Sequence, residues 1–337
     1  MSTRKVIAAI AAYPCLEAIS LPRSGISAFI PPRIGQVMHR RKFTCGLAAF
    51  SLATSSLDRV SHAIDPFERP QPASLKLSLA AYSMRQYLAP KPSEPNKMDL
   101  FGFVDFCQSQ GIPGAELTSY YFPDPIPSDY LVQLKRHCHL RGISISGGAI
   151  RNDFCQTDSA KLELDLQHTR NWIDHYATLG APAIRIFAGN QIKGEKLTKT
   201  LDRCAQHVSV ACEYAAQKGV MLALENHGGV TAKATDLVSL VERVDSPALG
   251  INFDSGNFRS SNDPYAELAM IAPYAINAQI KTEIAPNGKK QEADLARIIH
   301  ILREAGYSGW VTLEFEAKGE PIQEIPKYLS QLKELLA

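Results

Sequence analysis

What the 337-residue chain lacks narrows what it can be. Its seven cysteines include no C-x-x-C pair. Cys15 and Cys45 lie near the start, and Cys107, Cys138, Cys155, Cys204 and Cys212 are scattered and odd in number, which excludes a disulfide framework or a zinc ribbon. Cys204 and Cys212 fall two turns apart on one helical pattern, too far along an axis to bridge, so packed thiols are expected. No G-x-G-x-x-G follows the first strand candidate, and the SLAAYSMRQYL found there is a poor phosphate cradle, which argues against a doubly wound dinucleotide-binding sheet. No apolar run is long and uninterrupted enough to span a bilayer. A net positive charge is also missing from most of the chain. Residues 1 to 63 hold eight Lys and Arg against Glu17 and Asp58, so of the overall charge of +2 the remainder carries −4. A mildly acidic body gives no electrostatic footprint for nucleic acid.

The basic start has its own reading. HRRKFTCGLAAFSLATSS (39 to 56) is an Arg-Arg pair ahead of a short apolar run, and SHA (61 to 63) offers small residues for a peptidase. It resembles a twin-arginine export signal, with Met38 as the natural start. The expectation is an extension over 1–63, a Pro-rich linker over 64–74 (DPFERPQP at 65 to 72), and a periplasmic folded part. A basic tail on a cytoplasmic protein is the alternative.

From residue 75 onward one unit repeats. Strand candidates are LKLSLAAY (75 to 82), GAELTS (114 to 119), ISISGGAI (143 to 150), AIRIFAG (183 to 189), VMLALEN (220 to 226), LGINFD (249 to 254), INAQIK (276 to 281) and VTLEFE (311 to 316). Each is followed by a helical pattern. The clearest helices stop at Gly180, Gly219 and Gly306. Alternating strands and helices require parallel pairing through crossovers, and eight such units predict a single closed (β/α)8 TIM barrel over 75–337.

Barrel chemistry comes from the C-terminal strand ends and the loops after them. Those ends supply Glu116, Asn152 and Asp153, Arg185, then Glu225, Asn226 and His227, then Asp254 and Asn257, then Gln279 and Lys281, and finally Glu314 and Glu316. Strand alternation puts Asn277, Gln279 and Lys281 on one face, and Glu314 and Glu316 on one face. Carboxylates facing into a barrel mouth must pair with cations or bind a metal. Glu225, Asp254, Gln279 and Glu314 end four successive strands and would suit a hard divalent ion such as Mn2+ or Mg2+, with Zn2+ or Co2+ as alternatives. A salt-bridged ring, in which Lys281, Arg185 and Arg259 neutralise the acids, is the competing reading.

ALENHGG, GINFDSGNFR, AQIKTE and GYSGWVTLEFE, in register on consecutive units, resemble the xylose isomerase-like barrel superfamily and its sugar phosphate isomerase/epimerase branch, which includes ketose 3-epimerases. The resemblance covers about residues 75 to 335. It implies metal ligands at Glu225, Asp254, Gln279 and Glu314, and an acid/base pair at Glu225 and Glu314. Gln279 stands where many members carry His, and Asn257 where ketose 3-epimerases often carry a substrate-contacting His.

The implied chemistry is a proton removed next to a carbonyl, an enediolate, and the proton returned. Return to the opposite face of the same carbon epimerises; delivery to the next carbon isomerises; loss of a β-group from a 3-keto-glycoside eliminates. Arg185 and Lys281 would bind substrate oxygens or neutralise acids. His227 would contact substrate, support a ligand, or be structural; Glu116 would contact a hydroxyl or cap the floor; Asn257 would contact substrate. Tyr82, Phe187 and Trp310 offer sugar stacking or core packing. His137 and His139 read as solvated helix-end residues. The expected partner is a small sugar, not nucleic acid, and a homo-oligomer is compatible. Apurinic endonucleases share the barrel, but their histidine-rich zinc cluster is not matched here. A non-catalytic sugar-binding barrel is the reading from a different class.

Overall fold

The computed structural model describes residues 66–69, 71–88 and 98–337, all within the unit Arg59–Ala337. The expected export signal lies outside the described residues.

Eight parallel strands close on themselves: β1 Leu75–Ala80, β2 Gly114–Thr118, β3 Ser144–Ala149, β4 Ala183–Ile186, β5 Met221–Glu225, β6 Leu249–Asp254, β7 Ala275–Ile280 and β8 Gly309–Leu313. Sequential strands are neighbours, and β8 pairs with β1 from Leu75↔Gly309 to Leu79↔Leu313 to complete the ring. All eight predicted strands form. Most end a residue or more early, because the ladder stops where chains diverge into the mouth loops.

Among the described residues, besides the single turn Arg85–Leu88, eight longer helices cover the barrel: α1 Leu100–Ser109, α2 Tyr130–Leu140, α3 Ser159–Leu179, α4 Leu197–Lys218, α5 Ala234–Val244, α6 Pro264–Ile271, α7 Leu295–Glu304 and α8 Pro321–Leu336. Four begin on an aspartate, Asp99, Asp158, Asp263 and Asp294, whose side chain accepts from free N–H groups of the first turn. α3 and α4 end at Gly180 (φ 82°) and Gly219 (φ 68°), as their stop signals predict. Among the described residues no helix is long and apolar enough to cross a membrane.

The apolar core is the layer between strands and helices. On β8, Val311 and Leu313 enter it, whereas Thr312 and the following Glu314 turn to the barrel axis, as the alternation requires. Cys107, Cys138, Cys155, Cys204 and Cys212 are free and buried in this layer. Burial pushes the Cys212 thiol up to about 12 and Cys138 up to about 11, so neither is a thiolate at neutral pH.

Within the expected linker, Phe67 and Arg69 are docked to the N-terminal end of the barrel. Phe67 N–H donates to Pro273 O at 3.3 Å, and the Arg69 guanidinium lies 5.3 Å from the rings of both Phe67 and Tyr307 and donates to Ala275 O. Its Pro-rich composition hid these two anchors.

A close approach fixes α3 against the sheet. Tyr176 lies buried across Gly148, and its hydroxyl donates to Leu117 O. A Cβ at Gly148 would meet the Tyr176 ring at 2.2 Å. Gly148→Ala is therefore expected to destabilise the barrel by about 3 kcal/mol through overpacking. Urea unfolding checks this; a change below about 0.5 kcal/mol, the range of neutral surface substitutions, would show the contact relaxes freely.

Candidate active site

The barrel axis carries polar side chains in two tiers. The lower tier is a closed ring of amides and one carboxyl. Asn277 Nδ2 donates to Glu116 Oε2 (2.9 Å) and Asn252 Oδ1 (2.8 Å), Asn252 Nδ2 donates to Gln279 Oε1 (2.6 Å), and Gln279 Nε2 donates to Glu116 Oε1 (2.6 Å). All four residues are buried, and Glu116 is fully enclosed. Burial, then the charge of Glu314, raises Glu116 to about 7 against the pull of its two amide donors. Glu116 thus sits in the floor, and Gln279 spends both ends of its amide there.

The upper tier is ionic. Glu225, at the end of β5, has its Oε2 2.8 Å from Arg185 Nε. Its Oε1 accepts from Asn257 Nδ2 (2.8 Å) and lies 2.7 Å from His227 Nδ1. Burial works against ionisation of Glu225, but Arg185 first and then His227 outweigh it and hold the carboxyl at about 2. Arg185 also donates to Ile150 O at 2.6 Å and lies 4.0 Å from the centre of the Phe187 ring, which in turn leans on His227 at 4.4 Å.

On the other side, Lys281 Nζ meets three carboxylates: Asp254 Oδ2 at 3.2 Å, Glu314 Oε2 at 2.9 Å and Glu316 Oε2 at 2.5 Å. Burial would lower the lysine, but Asp254, Glu314 and Glu316 outweigh it and keep the ammonium. One cation cannot balance three acids. Asp254, fully enclosed, is driven well above the usual carboxylate range by burial, while Glu316 is held below it by Lys281 despite its own burial.

These residues open on a cavity of about 260 Å³ at the C-terminal mouth, lined by Glu225, His227, Lys281, Glu314, Glu316 and Arg185, with Tyr82, Tyr120, Arg151 and Phe187 as its aromatic and cationic wall. It adjoins, across Tyr82, Tyr120 and Arg151, a wider groove of about 1310 Å³ that includes Tyr121, Phe122 and Trp172. Trp310 is at the opposite end of the barrel, against Lys76. Tyr120 and Arg151 are functional candidates that the strand-end reading passed over, because the first lies in a single 3-10 turn after β2 and the second in the loop after β3, and neither carries a periodic pattern. His137 joins Arg141 on Asp105 instead of standing free in solvent.

A family profile described as xylose isomerase-like TIM barrel matches residues 104–335. The chain belongs to this family. Solved structures with the same fold include an L-ribulose 3-epimerase (15% identity, 78% of this chain and 94% of that one, TM-score 0.65). A zinc-bound IolI protein is similar (17%, 77% and 96%, TM-score 0.63), as is the probable 3-DHS dehydratase AsbF of Bacillus anthracis (17%, 77% and 98%, TM-score 0.61). No curated protein sequence matches the chain.

The resemblance implies a divalent ion held by Glu225, Asp254, Gln279 and Glu314. The donor set in this chain does not fit one. Gln279 Oε1 is taken by Asn252, both Glu225 oxygens are engaged, and the nearest cation to Asp254 and Glu314 is one lysine. Among the described residues no three His, Cys, Asp or Glu side chains are placed to hold a metal.

Glu116 links the floor to stability. Its folded value near 7 lies above the ordinary 4.5, so its protonation stabilises the fold fully below about 4.5, and that contribution is lost as pH rises through about 7. Relative to Glu116→Gln, the parent should lose about 3 kcal/mol between those pH values. Unfolding curves of both proteins across the range check it; a constant difference would show that Glu116 is already ionised at pH 4.5.

Proposed function

We propose that this chain is an isomerase-type enzyme of sugars, an epimerase or isomerase that acts on a ketose or sugar derivative through an enediolate. The observation that carries the reading is the mouth cavity, where proton-handling groups from β5 and β8, three places apart in the ring, face one small polar space with two buried cations.

On the β5 side, His227 is the group that reaches substrate. Its Nδ1 is turned to Glu225, which Arg185 and Asn257 fix in place, so its other ring nitrogen is left for the reacting proton. Glu225 acts here by orienting the imidazole; a carboxyl held at about 2 is a weak base in its own right. Glu314 acts from the β8 side. Base attack on the C–H next to the carbonyl sends the electron pair to the carbonyl oxygen, and the second group returns a proton to the carbon. Tyr82, Phe187 and Arg151 are placed to hold the ring and hydroxyls. The fold likeness to an L-ribulose 3-epimerase supports this class.

A second reading, elimination from a 3-keto-glycoside through the same enolate, is favoured by the aromatic groove beside the cavity, which is far larger than a monosaccharide needs. The same proton abstraction begins both.

The test is solvent exchange. Incubation with a panel of ketoses and 3-keto-glycosides in D2O should place deuterium on the carbon next to the carbonyl, read by mass and NMR. Deuterium in an intact sugar assigns epimerisation or isomerisation; a released aglycone assigns elimination. Glu314→Gln and His227→Gln should each slow exchange by about 100-fold or more. No exchange by the unaltered protein with any member of the panel overturns the reading.

A further inference from the structure

We propose that the Lys281 ammonium is the resident cation of this mouth: it stands in the place of the divalent ion that the family resemblance implies, and the chain neither needs nor takes up such an ion. The inference rests on the enediolate reading above for its catalytic part, and on geometry alone for its binding part.

Three observations converge on it. Lys281 Nζ joins the ends of β6 and β8 by meeting Asp254, Glu314 and Glu316 at once, so two of the four expected metal-binding side chains already share a cation. The remaining two are committed elsewhere, Gln279 to the floor ring and Glu225 to Arg185 and His227. The lysine is also built into position. Its N–H donates to Ser255 Oγ at 2.8 Å, and its stem runs over Gly256, where a Cβ would come within 2.8 Å of Lys281 Cδ. A side chain at 256 would push the stem aside, so the loop after β6 is shaped for this lysine.

The chemistry balances without a metal. When the base takes the C–H proton, the electron pair of that bond moves onto the carbonyl oxygen, and an N–H of Lys281 donates a hydrogen bond to the oxyanion. Glu316, at 27% exposure the most open of the three partners, is the one a substrate oxygen displaces. Reprotonation of carbon reverses the electron flow. The ammonium keeps its protons throughout, so no oxidant or reductant is required.

The experiment titrates MnCl2 into the EDTA-dialysed full chain and into Lys281→Met, following bound Mn2+ by electron paramagnetic resonance and Tm by thermal denaturation. Lys281→Met removes the charge at nearly constant length and leaves the carboxylates facing one another. The unaltered protein is expected to leave Mn2+ free and its Tm unmoved, and to retain after EDTA whatever D2O exchange it shows. Lys281→Met is expected to bind Mn2+ with a rise in Tm, and to lose exchange by about 100-fold in the metal-free state. Stoichiometric Mn2+ binding by the unaltered chain overturns the inference, and so does a folded Lys281→Met that takes up no Mn2+. Should that variant not fold, the titration of the unaltered chain decides alone. Absence of exchange with every sugar would remove the proposed reaction while leaving the assignment of the cation to be settled by the binding data.

Discussion

Four carboxylates face the mouth of this barrel, and burying them without countercharge would be prohibitive. The two cations that offset them, Arg185 against Glu225 and Lys281 against Asp254, Glu314 and Glu316, therefore organise much else. They bind the ends of β4 to β5 and of β6 to β8 through β7. The compensation is incomplete: three acids share one ammonium, and burial drives Asp254 well above the usual carboxylate range.

The tier beneath has a different logic. A barrel interior is normally filled by layers of branched apolar side chains. Here Glu116, Asn252, Asn277 and Gln279 fill one layer with a hydrogen-bonded ring in which both ends of the Gln279 amide are used. Such a ring is rigid because each partner lost would leave a buried polar group unpaired. The floor thus supports the mouth without entering the cavity.

Much of this was legible in the residues. Alternation of strand and helix signals gave all eight units, because each half-buried strand and amphipathic helix carries its own period. The inward face of β7 was readable in the same way, and Lys281 could be named as facing acids. What alternation could not decide was depth. Gln279 and Lys281 share a face, yet the first belongs to the floor and the second to the mouth, and only the ring order brings Asp254 and Glu314 to either side of Lys281. The choice between a metal and a salt-bridged ring turns on that depth. Asn252 escaped notice although it lies two residues before Asp254, since an amide inside a strand gives no signal of the ring it joins: its own partners are Asn277 and Gln279 on β7, and the ring reaches β2 through their bonds to Glu116. Phe67 and Arg69 were hidden by prolines around them.

Glu314 and Glu316 follow the strand that closes the ring onto β1. Without the segment 309–316, Lys281 would lack two of its three carboxylate partners, and β1 and β7 would each lack the strand that pairs with their open side. Two of the three partners of Lys281 and the closure of both edges depend on the same few residues. Closing the ring and completing the Lys281 cluster are therefore one event in the fold, and a change that detaches β8 would open two sheet edges and strip the lysine of two carboxylates together.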